Sequence, residues 1–326
     1  MSDITLKNLS IHPEFGIELA LAVPYAFYLK KQNLLGNVVT CKGMKPFYFF
    51  HEQVIENHTS RTIDNVAAGI NDLPNNWIHH NALAITGKDY SELSPPEQIN
   101  VNGVLDYSQW ISPPYTSYYN PAGIRSKKMV VITNKYNIEH GDPPKGYFDI
   151  QCLYDMFMYF SGHGYEIIYK RTRNTESHFT YDENEVHSVS MNYKDIVGTL
   201  DGETRKITDF ELVSELSKEI NIKTMDSAVS KYGGINYNCA QLCIMSRATK
   251  FITVCGGNAI MSSLFGGDVL VYVHKGKEMR PNYFGENSYF KKLSGANVVP
   301  IIDDMTSKEE HDYSGLYDGI RQMIKL

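Results

Sequence analysis

Three short stretches place cations or glycines at the end of an apolar run. "ITNKYNIE" continues "MVVIT" (129–133) and carries Lys135 and Asn137; "YKRTRN" carries Lys170 and Arg171; "CGGNA" carries Gly256, Gly257 and Asn258. Glycine accepts positive φ and lets another backbone or a ligand approach closely. A helix start leaves unpaired N–H groups and a partial positive charge, which suits a phosphate. Lysine and arginine add charge-assisted hydrogen bonds to phosphate oxygens. Taken one at a time, Lys135, Lys170 and Arg171 read equally well as solvated loop charges. Their placement at corresponding strand ends raises the joint reading, in which Lys135, Lys170 or Arg171, and the helix start at Gly257–Asn258 surround one anionic ligand. Cations together with a helix N-terminus fit a diphosphate.

Those strand ends presuppose a particular scaffold. "MVVIT" reads as a strand, "FDIQCLYDMFMYFSGHG" as a helix and "YEIIYKR" as the next strand, a unit whose crossover is right-handed and parallel. "TDFELVSELSKEI" reads as a helix capped by Thr208 with Glu211 three residues on. Then come a short strand in "NIKTMDSA", a helix in "NCAQLCIMSRA", a strand in "KFITVCG", a helix in "NAIMSSLFG", a strand in "DVLVYVH", a strand in "ANVVPII" and a terminal helix in "GLYDGIRQMIKL". Such alternation predicts an α/β doubly wound half, with its ligand at the carboxyl ends of the strands. Before it, "EFGIELALAVPYAFYLKKQN" predicts a helix that Pro24 can kink, and "NVVTC" and "PFYFF" predict short buried strands. Residues 172–206 are charged and poor in apolar anchors, which predicts a surface excursion. The Pro-Ala-Gly and Lys-Lys between 121 and 128 mark a junction, giving divisions of 1–124, 125–312 and a terminal helix at 313–326.

Composition removes several classes. The 326 residues suffice for two domains, and 42% hydrophobic with 21% charged residues is a globular balance. A net charge of −6 gives a nucleic-acid partner no general electrostatic support. No apolar run approaches the roughly 20 residues of a membrane span, so no integral membrane segment is expected. Five cysteines without metal-knuckle spacing point to reduced thiols and a cytoplasmic setting. Neither G-x-G-x-x-G opening an early βαβ unit nor G-x-x-x-x-G-K-[ST] occurs, which argues against a dehydrogenase or a P-loop ATPase. Asp303 and Asp304 after "VVPII" could be metal-binding carboxylates, although a last strand is an odd place for a catalytic ion. "SPPYTSYYNP" (112–121) groups aromatic and proline rings suited to stacking on flat ligands.

The segment "NYNCAQLCIMSRATKFITVCGGNAIMSSLFGGDVLVYVHKGKE" (236–278) resembles the nucleotide-sugar-dependent glycosyltransferases of GT-B architecture, in particular fucosyl- and heptosyltransferases. In those enzymes a helix, a strand, a small-residue turn and a short helix lie beneath the donor diphosphate. "PEFGIEL" (13–19) is similar to the Phe-Gly-Asn-Gln turn of fucosyltransferase relatives, with Ile17 and Glu18 in place of the amide pair. The resemblance implies an α/β chain of two facing Rossmann-like domains, with 1–124 on the acceptor side and 125–312 holding the nucleotide sugar. It implies sugar transfer from a nucleotide diphosphate sugar to a glycan or other hydroxyl acceptor, with inversion, no cofactor and no obligatory metal. Lys135, Asn137, Lys170, Arg171, Gly256, Gly257 and Asn258 would then hold the donor, stabilising the departing diphosphate. A base for the acceptor hydroxyl would come from Glu14, Glu18 or His51. Two rivals remain. A GT-B nucleotide-sugar epimerase would need no separate acceptor, and a catalytically inactive carbohydrate-binding protein would use the tyrosines as a platform.

Overall fold

A computed structural model describes residues 5–58, 61, 92, 94, 107–136, 144–171, 195–274, 284, 288–303, 305 and 310–325. Asn137, Asp304 and residues 172–194 of the charged stretch lie outside them. Two compact units emerge. One is built mainly from Met1–Pro114 and Met279–Gly295, the other from Tyr115–His178, Ser190–Glu278 and Ala296–Leu326.

In the first unit, β1 (Lys7–Ser10), β2 (Leu35–Cys41) and β3 (Val54–His58) pair in parallel in that order. The helix expected near residue 14 begins at Phe15–Ile17, passes through a π-turn at Glu18–Ala22 and continues as α1 (Val23–Lys31). Pro24 is the second residue of α1 and follows the π-turn directly, so the departure from regular α-helical bonding falls beside the residue that lacks an N–H. "PFYFF" is not a strand. Lys45–Tyr48 form a 3₁₀ turn with Pro46 near its start, because proline fixes φ at a helical value and supplies no ladder donor. Its apolar rings are there for burial, since Phe47 and Tyr48 are fully enclosed. β1, inside the polar "LKNLS", was not expected from the sequence.

The second unit follows its sequence closely. β4 (Ser126–Asn134), α2 (Ile150–Gly162) and β5 (Glu166–Arg171) form the expected parallel unit. A two-rung antiparallel pair, β6 (Val197–Gly198) with β7 (Ile207–Thr208), leads into α3 (Asp209–Leu216), and Thr208 and Glu211 make the reciprocal capping box. There follow β8 (Ile222–Thr224), α4 (Met225–Val229), α5 (Tyr237–Met245), β9 (Ala248–Val254), α6 (Gly257–Ser263), β10 (Asp268–His274), β11 (Asn297–Asp303) and α7 (Ser314–Lys325).

All six strands of the larger sheet are parallel, in the order β11-β10-β9-β4-β5-β8. The chain therefore lays down β4, β5 and β8 outward on one side. It then returns to β9, beside β4, and builds outward on the other. β4 and β9 flank the point where strand order reverses, the place where open α/β sheets open a crevice at their carboxyl ends. Helices cover both faces, which is why the strands read as unbroken apolar runs. Val130, Ile132, Ile167, Tyr169, Ile252 and Val254 share one buried cluster with Leu153, Phe157 and Phe160 of α2 and Leu316 and Ile320 of α7. The resulting architecture is mixed α/β with parallel sheets. Among the described residues, no helix is long and apolar enough to cross a membrane.

Candidate functional site

The carboxyl ends of β4, β5 and β9 bring two of the residues named from the sequence, Lys170 and Asn258, into contact. Lys170 stands opposite Thr133 in the β4–β5 ladder, and Thr133 stands opposite Thr253 in the β4–β9 ladder. The two threonine hydroxyls meet at 2.6 Å, and Thr253 Oγ1 passes on to the Val254 carbonyl at 2.8 Å, which ties the strands together at the reversal point. Lys170 is buried, and its Nζ donates to Asn258 Oδ1 at 2.8 Å. Among the described residues nothing else accepts from that ammonium. Burial pushes the Lys170 pKa down to about 8, against a smaller upward pull from the Asp226 carboxylate. A buried ammonium with unused donors has a strong preference for an anion.

Lys135 follows β4 directly, and its charge reaches the Cys255 thiol. Burial raises that thiol's pKa, and the Lys135 ammonium is the first influence opposing it. The end of β4 is held by Asn134, a residue the sequence reading passed over. Its Oδ1 accepts from the Phe148 and Lys135 backbone N–H groups at 3.0 Å each, and its Nδ2 donates to the Phe148 carbonyl at 2.9 Å. The carboxamide thus fixes the point where Lys135 leaves the sheet.

Arg171 goes to the opposite face. Side chains alternate along a strand, so Lys170 and Arg171 cannot share a ligand across the same surface. The Arg171 guanidinium grips Asp209 through Nε to Oδ2 at 2.6 Å and Nη2 to Oδ1 at 2.9 Å, and adds Asp195 Oδ1 at 2.8 Å. Tyr169 also donates to Asp209, and the Phe210 ring lies 4.6 Å beneath the guanidinium. Asp209 sits in the first turn of α3, where the helix N-terminus favours a carboxylate. Arg171 is therefore spent on holding β5 to α3.

The turn after β9 also differs in detail from the expectation. Gly256 is the residue before α6, and it alone of the pair has positive φ, at φ 119 and ψ −160. Gly257 is already helical. Asn258 is inside the first turn and does not cap it; its side chain is turned onto Lys170. Only glycine occupies the Gly256 conformation comfortably. Gly256→Ala is expected to lower stability by about 1–3 kcal/mol, whereas Gly257→Ala should fall well short of that loss. Urea denaturation of the two variants checks this, and equal midpoints would remove the strain argument.

The three candidate bases belong to the first unit. Glu18 is fully buried at the start of the π-turn, where its carboxylate accepts from Thr40 at 2.5 Å, Tyr48 at 2.9 Å and Arg61 at 2.6 Å. Such a carboxylate anchors structure and has little capacity left for an acceptor proton. His51 follows the 3₁₀ turn, not a strand, and its Nε2 donates to the Gly36 carbonyl at 2.6 Å. Burial lowers its pKa, which keeps the ring neutral at pH 7, and its buried Nδ1 has no partner among the described residues. Glu14 precedes Phe15 and is partly exposed.

No family model matches the sequence, and no curated protein matches it. Over nearly its whole length the chain is similar to solved structures, two of which follow. One is the glycosyl transferase family 9 protein from Veillonella parvula DSM 2008, at 9% identity and TM-score 0.45, covering 99% of this chain and 98% of that one. The other is the ADP-heptose lps heptosyltransferase II of E. coli, at 10% identity and TM-score 0.48, covering 98% of this chain and 99% of that one.

Proposed function

We propose that the second unit binds the diphosphate of a nucleotide sugar where β4 and β9 part, and that the protein is a glycosyltransferase of GT-B type. One observation carries the reading: a buried lysine, Lys170, is fixed by Asn258 at the strand-order reversal of a six-stranded parallel sheet. That is where such sheets bind nucleotides, and a desolvated ammonium is the group that best stabilises charge on a departing diphosphate. In the transfer, the acceptor hydroxyl oxygen bonds to the anomeric carbon as the bond to the diphosphate oxygen breaks. The acceptor proton passes to a base, and the diphosphate leaves with its electron pair towards Lys170 and Lys135. Attack opposite the leaving group inverts the anomeric centre. The lysines supply the charge neutralisation, so no obligatory metal is assigned to this step.

The acceptor belongs to the first unit in this reading, with Glu14 and His51 as the candidate bases. The condition of Glu18 favours keeping a second reading. With its carboxylate bound on three sides, Glu18 drops out as a base and leaves only Glu14 and His51, whereas a nucleotide-sugar epimerase has no acceptor hydroxyl to deprotonate and a non-catalytic binder needs no base. Thermal-shift titration with the common nucleoside diphosphates and their sugars tests binding; a flat profile across all of them overturns both enzymatic readings. Product analysis with and without a mixed glycan acceptor then separates transfer from epimerisation.

A further inference from the structure

The carboxyl ends of β10 and β11 carry a second polar cluster, away from Lys170 and Asn258. His274 ends β10, Asp303 ends β11, and the two stand opposite each other in the ladder. His311, in the segment that leads into α7, comes over the same strand ends, with its ring centroid 4.9 Å from that of His274. The side chains of all three are 3% exposed or less. His274 Nδ1 lies 2.8 Å from Asp303 Oδ2, and His311 Nδ1 lies 3.7 Å from the same oxygen. The Tyr272 hydroxyl donates to Asp303 and lies 3.0 Å from His311 Nδ1.

Each imidazole is left with a buried Nε2 that has no partner among the described residues. A purely structural histidine–aspartate pair needs one ring. Here there are two, and both keep an unsatisfied nitrogen, which native interiors avoid. One ligand-capable atom from each of the three residues lies within 4.8 Å of the others. We propose that His274, Asp303 and His311 bind one divalent transition-metal ion of the zinc class.

The donor set selects the ion. Two imidazoles with one carboxylate suit zinc and its first-row neighbours, whereas calcium and magnesium want oxygen throughout and copper(I) wants sulfur. Ligand atoms about 2.1 Å from a tetrahedral ion stand roughly 3.4 Å apart, so the three atoms, now within 4.8 Å of one another, need only draw together to hold it. Tyr272, already bonded to Asp303, becomes the outer hydrogen-bond donor that orients the carboxylate. A fourth position stays open to water or a ligand. The site joins the ends of two strands to the approach of α7, and it does not depend on the donor reading at β4 and β9. Asp303 was one of the two carboxylates the sequence suggested, but the companions proposed here are histidines, not the neighbouring carboxylate.

The test begins with the full chain stripped by chelator and titrated with Co²⁺ under visible spectroscopy, then with Zn²⁺ by calorimetry. Expected are one ion per chain, ligand-field bands of a nitrogen–oxygen site, and a raised melting temperature on zinc addition. His274→Ala and His311→Ala should each weaken zinc binding by about 100-fold or more, and Tyr272→Phe by about 10-fold. A Cys239→Ser/Cys243→Ser double variant should bind as the parent does. Absence of binding by the parent, a cobalt–thiolate charge-transfer band, or unchanged affinity in the histidine variants overturns the proposal. Where a histidine variant fails to fold, nitrogen-15 spectra of the parent decide. Zinc must shift the resonances of two histidine rings, and a titration that moves none of them rejects the site.

Discussion

Lys170→Met is expected to weaken nucleoside diphosphate binding by about 10- to 150-fold, the equivalent of the 1.5–3 kcal/mol typical of a hydrogen bond to a charged group. The fold should survive, because methionine fills the space of the buried lysine stem without a charge to desolvate. The pH dependence carries more information than the single value. With its pKa pushed down to about 8, the free protein loses the Lys170 charge above that pH. Binding an anion requires the proton back, so affinity should be level below about pH 8 and fall by up to tenfold per unit above it. Stability runs the other way. A lysine whose folded pKa lies below its unfolded value destabilises the fold fully at pH below the folded pKa. Stability then rises as pH climbs from about 8 towards 10.5, a gain of about 3 kcal/mol at most. The Lys170→Met protein should show neither slope. Calorimetry with a nucleoside diphosphate from pH 6.5 to 9.5 measures the first effect. Equal affinities and equal slopes in parent and variant would remove Lys170 from the donor site.

Asp209→Ala should cost up to about 3–5 kcal/mol of stability, because it leaves the buried Arg171 guanidinium with only the exposed Asp195 carboxylate. Arg171→Met alone should cost a similar amount by stranding Asp209. The double variant Arg171→Met/Asp209→Leu, which removes both charges, should recover most of the loss, since buried pairs are often replaceable by apolar groups of like volume. Urea unfolding gives all three numbers. The functional corollary is sharper. In whatever stays folded, nucleotide affinity should be unaffected, because the pair lies on the sheet face opposite Lys170. A diphosphate affinity that falls with Arg171→Met/Asp209→Leu as far as with Lys170→Met would return Arg171 to the site.

The second unit was legible because its central strands β4, β5, β9 and β10 are largely buried and several of its helices are bounded by a cap or glycine that acts locally. Thr208 with Glu211 and the runs around 129–133 and 251–255 announce themselves within a few residues. The first unit hides its signals. β1 is four residues long with polar Lys7, Asn8 and Ser10, so neither alternation nor a continuous apolar run marks it. "PFYFF" has the composition of a strand, yet Pro46 decides its backbone. At the site, residue types at strand ends identified Lys135, Lys170 and Asn258 as candidates. The choice between Lys170 and Arg171 needed the sheet, because two adjacent residues on a strand face opposite ways and only the packed helices show which face holds which partner. Asp209 and Asn134 were invisible for a related reason. Their roles come from neighbours 38 and 14 residues away, and no local pattern encodes them.

Pro300 has a consequence for self-association. Asn297 N–H donates to the Gly267 carbonyl, and the ladder to β10 runs on without a break to Asp303. Donors towards β10 therefore recur at every second residue from Asn297, which turns the nitrogens of Val298, Pro300 and Ile302 outward. β11 borders its sheet, and Val299 and Ile302 are exposed on it. An apolar border strand with a full row of outward N–H groups is a template for another chain. Proline in the middle of that row deletes the central donor, so an incoming strand would find two hydrogen bonds separated by a gap instead of a continuous track. At the far border the remedy is brevity, since β8 has three residues. The sheet is thus kept finite on one side by a missing donor and on the other by a missing length, and copies of the chain can crowd together without zipping their sheets into one.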